Sequence, residues 1–126
     1  MGRQRQTEEE RIQHVNDELV EKVMGWRASG ARYYKASRGW VSKRRFNPMR
    51  DLSAVMSLIH HARHRNPGMT GELLFRVDGT GTMAFVAIVR LDGTQHVCIS
   101  HRPWASMALS EALARAYGVV MEGCAR

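Results

Sequence analysis

Hydrophobic residues recur at helical spacing over residues 7–24, where Ile12, Val15, Leu19, Val23 and Met24 line one side of a predicted amphipathic helix. Thr7 with Glu10 reads as a capping box, and Glu8 and Glu9 suit the positive end of the helix dipole. Gly25 reads as the stop. The period then vanishes. Residues 27–46 contain Gly30 and Gly39 and show no sustained pattern, so they read as a long loop with a short strand near Trp40 and Val41. Asn47 followed by Pro48 reads as an N-cap and first helical residue. A second helix then runs to about His64, with Leu52, Val55, Met56 and Ile59 inward, and residues 66–68 (Asn-Pro-Gly) end it.

Beyond that point the period falls to two. Leu73, Phe75 and Val77 alternate with Leu74, Arg76 and Asp78, the signature of a strand. Residues 83–89, MAFVAIV, are apolar on both faces, as expected of a central strand covered on both sides. The turn at residues 78–81 (DGTG) and the hairpin signal Asp92-Gly93 connect these to a third strand at 95–99, giving an antiparallel meander. A last helix is predicted over about 104–122, with Ala108, Leu109, Ala112, Leu113, Ala116, Val119 and Val120 on its apolar side. The predicted fold is α+β, a three-stranded antiparallel meander sheet sandwiched between helices in the order α-α-β-β-β-α. One domain spans residues 1–126, with residues 1–6 frayed.

Charge changes the picture in one place. The chain carries a formal net charge of +7, but between Glu21 and Asp51 there is no acid at all. Lys22, Arg27, Arg32, Lys35, Arg38, Lys43, Arg44, Arg45 and Arg50 all fall in that window, beside Trp26, Tyr33, Tyr34 and Trp40. Aromatic faces stack on nucleobases and arginine forks pair with phosphates, so the segment suits an anionic, base-containing partner. The alternative is that the rings pack over a helix end while the cations stay solvated.

Other clusters are weighed in the same way. His60 and His64 share a helix face and are spaced to chelate a metal, but no HExxH-type glutamate accompanies them, and surface histidines at a basic helix end fit as well. No metal and no cofactor is expected. His101 and Arg102 precede the last helix, whose free amides attract anions, against the alternative of an ordinary polar loop. Arg115 lies near the apolar side of that helix. There it needs a carboxylate, a carbonyl or an anionic ligand, and Glu111, four residues earlier, offers an ion pair. Cys98 on an apolar strand reads as a small core residue, and Cys98 with Cys124 suggests neither a disulfide framework nor a zinc site. There is no GxSxG elbow, the DGTGT loop lacks the lysine of a P-loop, and no catalytic residue is expected. A polar N-terminus and the lack of an apolar run of ~18 residues point to a cytoplasmic chain without membrane contact.

The order of elements and several motifs resemble the phage ABA sandwich domain, a family of small phage-encoded proteins. The residues that carry this are VEKVMGW at 20–26, Phe46-Asn47-Pro48 with Asp51, the meander, and ALARA at 112–116. VMGW is the most specific piece. Residues 27–45 depart from the pattern in length and basicity. Proteins resembling this domain include the Thoeris anti-defence sponges, which bind cyclic ADP-ribose-type and cyclic oligonucleotide immune signals without degrading them. The resemblance implies a non-enzymatic, homo-oligomeric phage protein, acting in the cytoplasm of the infected host cell, that sequesters a nucleotide-type small molecule. Trp26 would stack on a base, and Arg115 and Arg102 would neutralise phosphates. The expected ligand-binding set is Trp26, Trp40, Phe85, Arg102 and Arg115. The alternatives are a nucleic-acid-binding module and a host-protein-binding accessory protein.

Overall fold

The computed structural model describes residues 7–37, 39–77, 79–101 and 104–119. Helix α1 (Glu8–Leu19) opens on the expected capping box: the Glu10 amide donates to Thr7 Oγ1 at 3.1 Å, and the Thr7 amide donates to Glu10 Oε1 at 2.9 Å. It runs on as one π-helical turn, Val20–Met24, and stops at Gly25, whose φ of 75° lies in the left-handed region that glycine tolerates. The predicted second helix is α2 (Leu52–Arg65), and its N-cap is Asp51, whose carboxylate accepts the Ser53 amide at 3.0 Å. Asn47 is not the cap. Its side chain instead accepts from buried Asn16 Nδ2 at 2.7 Å, a tertiary contact that outcompetes the local one.

The largest departure lies between these helices. Residues 27–46, expected to be a long loop, contain a second antiparallel sheet of three short strands: β1 (Arg27–Ser29), β2 (Arg32–Tyr34) and β3 (Trp40–Ser42). The short strand expected near Trp40 is β3. Gly30, at φ 60°, turns β1 into β2 through a two-residue connection, a geometry suited to a glycine in the first turn position.

The main sheet is the expected meander of β4 (Thr70–Val77), β5 (Met83–Leu91) and β6 (Thr94–Ser100), in the order β4-β5-β6. Asp92 and Gly93 both take positive φ, 52° and 79°, as a two-residue hairpin turn of the favoured hand requires. The α+β class stands as read, and the order of helices and strands broadly matches, with β1, β2 and β3 added between the first two helices.

Helix α3 (Ala105–Ala116) is the central layer. Residues 106–114 are all buried, so this helix is covered all round rather than along one stripe. Its alanines let it sit close on β5 and β6, against Ala87, Val89 and Cys98. On its other side lie α1 and α2, with Val15, Leu19, Val55 and Leu58. The polar residues on α3 are satisfied rather than solvated. Ser106 Oγ donates to the Met49 carbonyl at 2.9 Å, and Ser110 Oγ donates to the Pro48 carbonyl at 2.8 Å. Glu111, 8% exposed, takes Arg11 Nη1 at 2.9 Å.

Helical cover is therefore on one face of the sheet. Among the described residues no helix packs on the second face, where Leu74 and Ile99 are exposed. The edge strand β4 is exposed along its whole length, on both faces. The expectation of a central strand with cover on both sides holds for Ala84 and Val86 only in that neighbouring side chains shelter them. Arg76, Thr82, Ile99 and His101 surround these two residues in a shallow hollow of about 200 Å³.

Candidate ligand-binding face

Tyr33 anchors the small sheet on α1. Tyr33 is fully buried and its hydroxyl donates to Asp17 Oδ1 at 2.8 Å while accepting from Gln13 Nε2 at 3.1 Å. Both partners are on α1, and Gln13 Nε2 also reaches Asp17 at 2.7 Å. Lys43 Nζ completes the cluster, 3.2 Å from Asp17 Oδ2 and 5.4 Å from the centre of the Tyr33 ring. Burial, reinforced by the hydrogen bond to Asp17 and its charge, pushes the Tyr33 hydroxyl far above the ordinary tyrosine range. The phenol thus stays a neutral donor.

Side chains alternate across a strand, so burying Tyr33 fixes what the opposite face presents. Ala28 and Val41, which pair with Tyr33, share its inward side. Arg27, Tyr34 and Trp40 stand in one row across the three strands on the outward side, with Ser29, Arg32 and Ser42 in the next row. Rings and cations interleave there. The Arg32 guanidinium carbon lies 3.8 Å from the centre of the Trp40 ring, and that of Arg27 lies 5.3 Å from the Tyr34 ring. Trp40 keeps 50% of its surface exposed. Among the described residues no ion pair engages Arg27, Arg32 or Lys35. The acids of this region, Asp17 and Glu21, are spent elsewhere: Asp17 on the inward cluster, and Glu21 Oε2 on the Ala28 amide at 3.0 Å.

Such a face can offer aromatic surface for stacking and guanidinium N–H groups for phosphate at the same time. Among the described residues no cluster of three or more His, Cys, Asp or Glu side chains could hold a metal.

The expected ligand-binding residues do not converge. Trp40 is on this face. Trp26 is half-buried and stacks on Phe46 at 5.3 Å, on the inward side where Phe46 also meets Tyr33 edge-on at 6.5 Å. Lys35 Nζ sits 5.2 Å from the Trp26 ring, so a cation remains close to it. Phe85 belongs to the helix-covered face of the main sheet and packs on Phe75, 5.1 Å away. Arg115 Nη1 donates to the Val97 carbonyl at 3.2 Å, and Glu111, its expected ion-pair partner, is bound to Arg11 instead. Arg102 and Arg38 lie outside the described residues. Arg27, Arg32 and Tyr34 join Trp40 in their place. The signal for them was the period of two in RAS, RYY and WVS, too short in each strand to stand out.

A second basic area surrounds the end of α2. His60, Arg63, His64 and Pro67 line an open hollow of about 300 Å³. His60 and His64 acquire no third ligand there among the described residues. No helix among the described residues is long and apolar enough to cross a membrane. Compared with models of protein families, with curated proteins and with solved structures, the chain matches none.

Proposed function

We propose that the outward face of β1, β2 and β3 binds a base-containing, phosphate-bearing ligand and holds it without chemical change. One observation carries this reading: Arg32 lies 3.8 Å over a half-exposed Trp40, beside Arg27 and Tyr34, with no carboxylate paired to either arginine among the described residues. A base would stack on the indole or phenol ring, and the guanidinium groups would take the phosphates.

The preferred ligand is a nucleotide-derived immune signal, of the cyclic ADP-ribose or cyclic oligonucleotide type, sequestered by a phage protein in the infected host cell. The likeness of residues 20–26 and 112–116 to the phage ABA sandwich domain supports that choice. A second reading is a single-stranded nucleic acid, favoured by a face that is open to solvent along the row from Arg27 to Trp40. Calorimetric titration with cyclic nucleotides, cyclic ADP-ribose isomers and short oligonucleotides, each at two salt concentrations, separates the two. A small molecule bound stoichiometrically and released intact on heating supports sequestration. Affinity confined to oligonucleotides and falling steeply with salt supports the strand reading, because each phosphate contact releases counterions. Ligand recovered in altered form, or no binding across the panel, ends both.

A further inference from the structure

Strand β4 is a sheet edge without the usual protection. It is eight residues long, contains no proline and, among the described residues, is hydrogen-bonded on one side only, to β5. Soluble proteins shield such edges, because the unpaired amides and carbonyls recruit another strand. Here the side chains add to the exposure. Phe75 is 56% exposed and Val77 is 58% exposed, and Leu73 beside them is open too. These three share the face on which α3 packs, but lie beyond its cover, while Leu74 is exposed on the other face.

The charges on β4 give this edge a specific complement. Glu72 and Arg76 sit on one face, each two residues from Leu74. When two β4 strands run antiparallel about a two-fold axis at Leu74, Glu72 of each copy lies opposite Arg76 of the other. Leu74 then meets Leu74, and Leu73 meets Phe75 on the opposite face. No other register pairs both charges. A slip of one residue would also exchange the faces, setting the two helical layers on opposite sides. Glu72 has room for this contact, since Arg90 Nη1 occupies only its Oε2, at 2.7 Å. Among the described residues no ion pair engages Arg76.

We infer that this chain forms a homodimer through β4, pairing antiparallel about Leu74 so that two three-stranded sheets become one of six. Both α3 helices then lie on the same side of the joined sheet, flanking a stripe of Leu73 and Phe75 from the two copies. The assembly is independent of what the β1–β3 face binds.

Sedimentation equilibrium tests the register through charge. The native chain is expected to be a dimer. Arg76→Glu sets glutamates against glutamates twice per interface and leaves the Glu72–Arg90 pair intact, so its dimer dissociation constant should rise about tenfold or more. Glu72→Arg should do the same with arginines. Mixed one to one, the two variants regain both opposite-charge pairs and should form a heterodimer. Thermal melts followed by circular dichroism establish that each variant is folded, and if Glu72→Arg is not, Arg76→Glu alone decides. A native chain that is monomeric at the highest concentration it tolerates overturns the inference. So does an Arg76→Glu protein as tightly dimeric as the native one, or two folded variants that stay apart when mixed.

Discussion

Replacing Tyr33 with phenylalanine removes one oxygen from the joint between the small sheet and α1 and leaves the ring in place. The lost hydroxyl donates to Asp17 at 2.8 Å and accepts from Gln13 at 3.1 Å. A hydrogen bond to a charged group contributes ~1.5–3 kcal/mol. Asp17 keeps Gln13 and Lys43 as partners and its side chain is 28% exposed, so water restores part of the loss. The expected destabilisation at neutral pH is therefore about 1–2 kcal/mol, read as a shift in urea midpoint at unchanged slope. The pH dependence is more diagnostic. Burial and Asp17 raise the Tyr33 hydroxyl above its ordinary value of 10.0, so folding favours the protonated phenol. That contribution is complete below pH 10 and is lost above it, where the unfolded chain releases the proton and the folded chain does not. The loss is ~1.4 kcal/mol for each further pH unit. By pH 11 the native advantage over Tyr33→Phe should have shrunk by about 1.4 kcal/mol, to little or nothing. Tyr117, also raised by burial, titrates in both proteins and cancels in the difference. Parallel stability curves for the two proteins from pH 7 to pH 11 would refute the account of the joint.

Four other substitutions test three separate parts of the molecule. Trp40→Ala and Arg32→Ala should leave the urea midpoint nearly unchanged, yet weaken binding of a base-containing ligand measured by titration, the first by ~1–3 kcal/mol for the lost stacking ring and the second through its lost phosphate contacts. Arg11→Met strands Glu111, 8% exposed, beneath α1, and should cost about 2–4 kcal/mol in chemical denaturation, because a nearly buried carboxylate loses its cation. Asn16→Ala leaves the Met49 amide, now 2.9 Å from Asn16 Oδ1, without an acceptor and removes the bond to Asn47, so a loss of about 2–3 kcal/mol is expected by the same measurement.

What the sequence disclosed depended on how local the deciding contacts were. The capping box of Thr7 and Glu10, the stop at Gly25 and the Asp92-Gly93 turn are settled within a few residues, and each was legible. So were the strands of the meander, long enough for alternation to show. β1, β2 and β3 have three residues each, and what makes them strands is distant: Tyr33 reaching Asp17, and Phe46 closing over Tyr33 and Trp26. Asn47 misled for the same reason, since its partner Asn16 is 31 residues away. Periodicity gives helix α3 one apolar side, but its polar residues Ser106, Ser110 and Glu111 are also buried, each on a distant partner that no local pattern shows. For the candidate face, composition pointed to the segment that forms β1, β2 and β3. It took the burial of Tyr33 to show that Trp40 faces outward while Trp26 packs inward.

The ion pair between Arg11 and Glu111 joins residues one hundred positions apart, and α3 lies between α1 and the sheet. During synthesis, α1 emerges long before the helix it packs against exists. At ~5–20 residues per second, that wait lasts about 5–20 s. Throughout it, Ile12, Val15 and Leu19 have no core to enter, and the β5 face that receives α3 stays open. The order in which the ribosome delivers the elements thus puts α3 after every element it joins, and their shared core cannot close piece by piece.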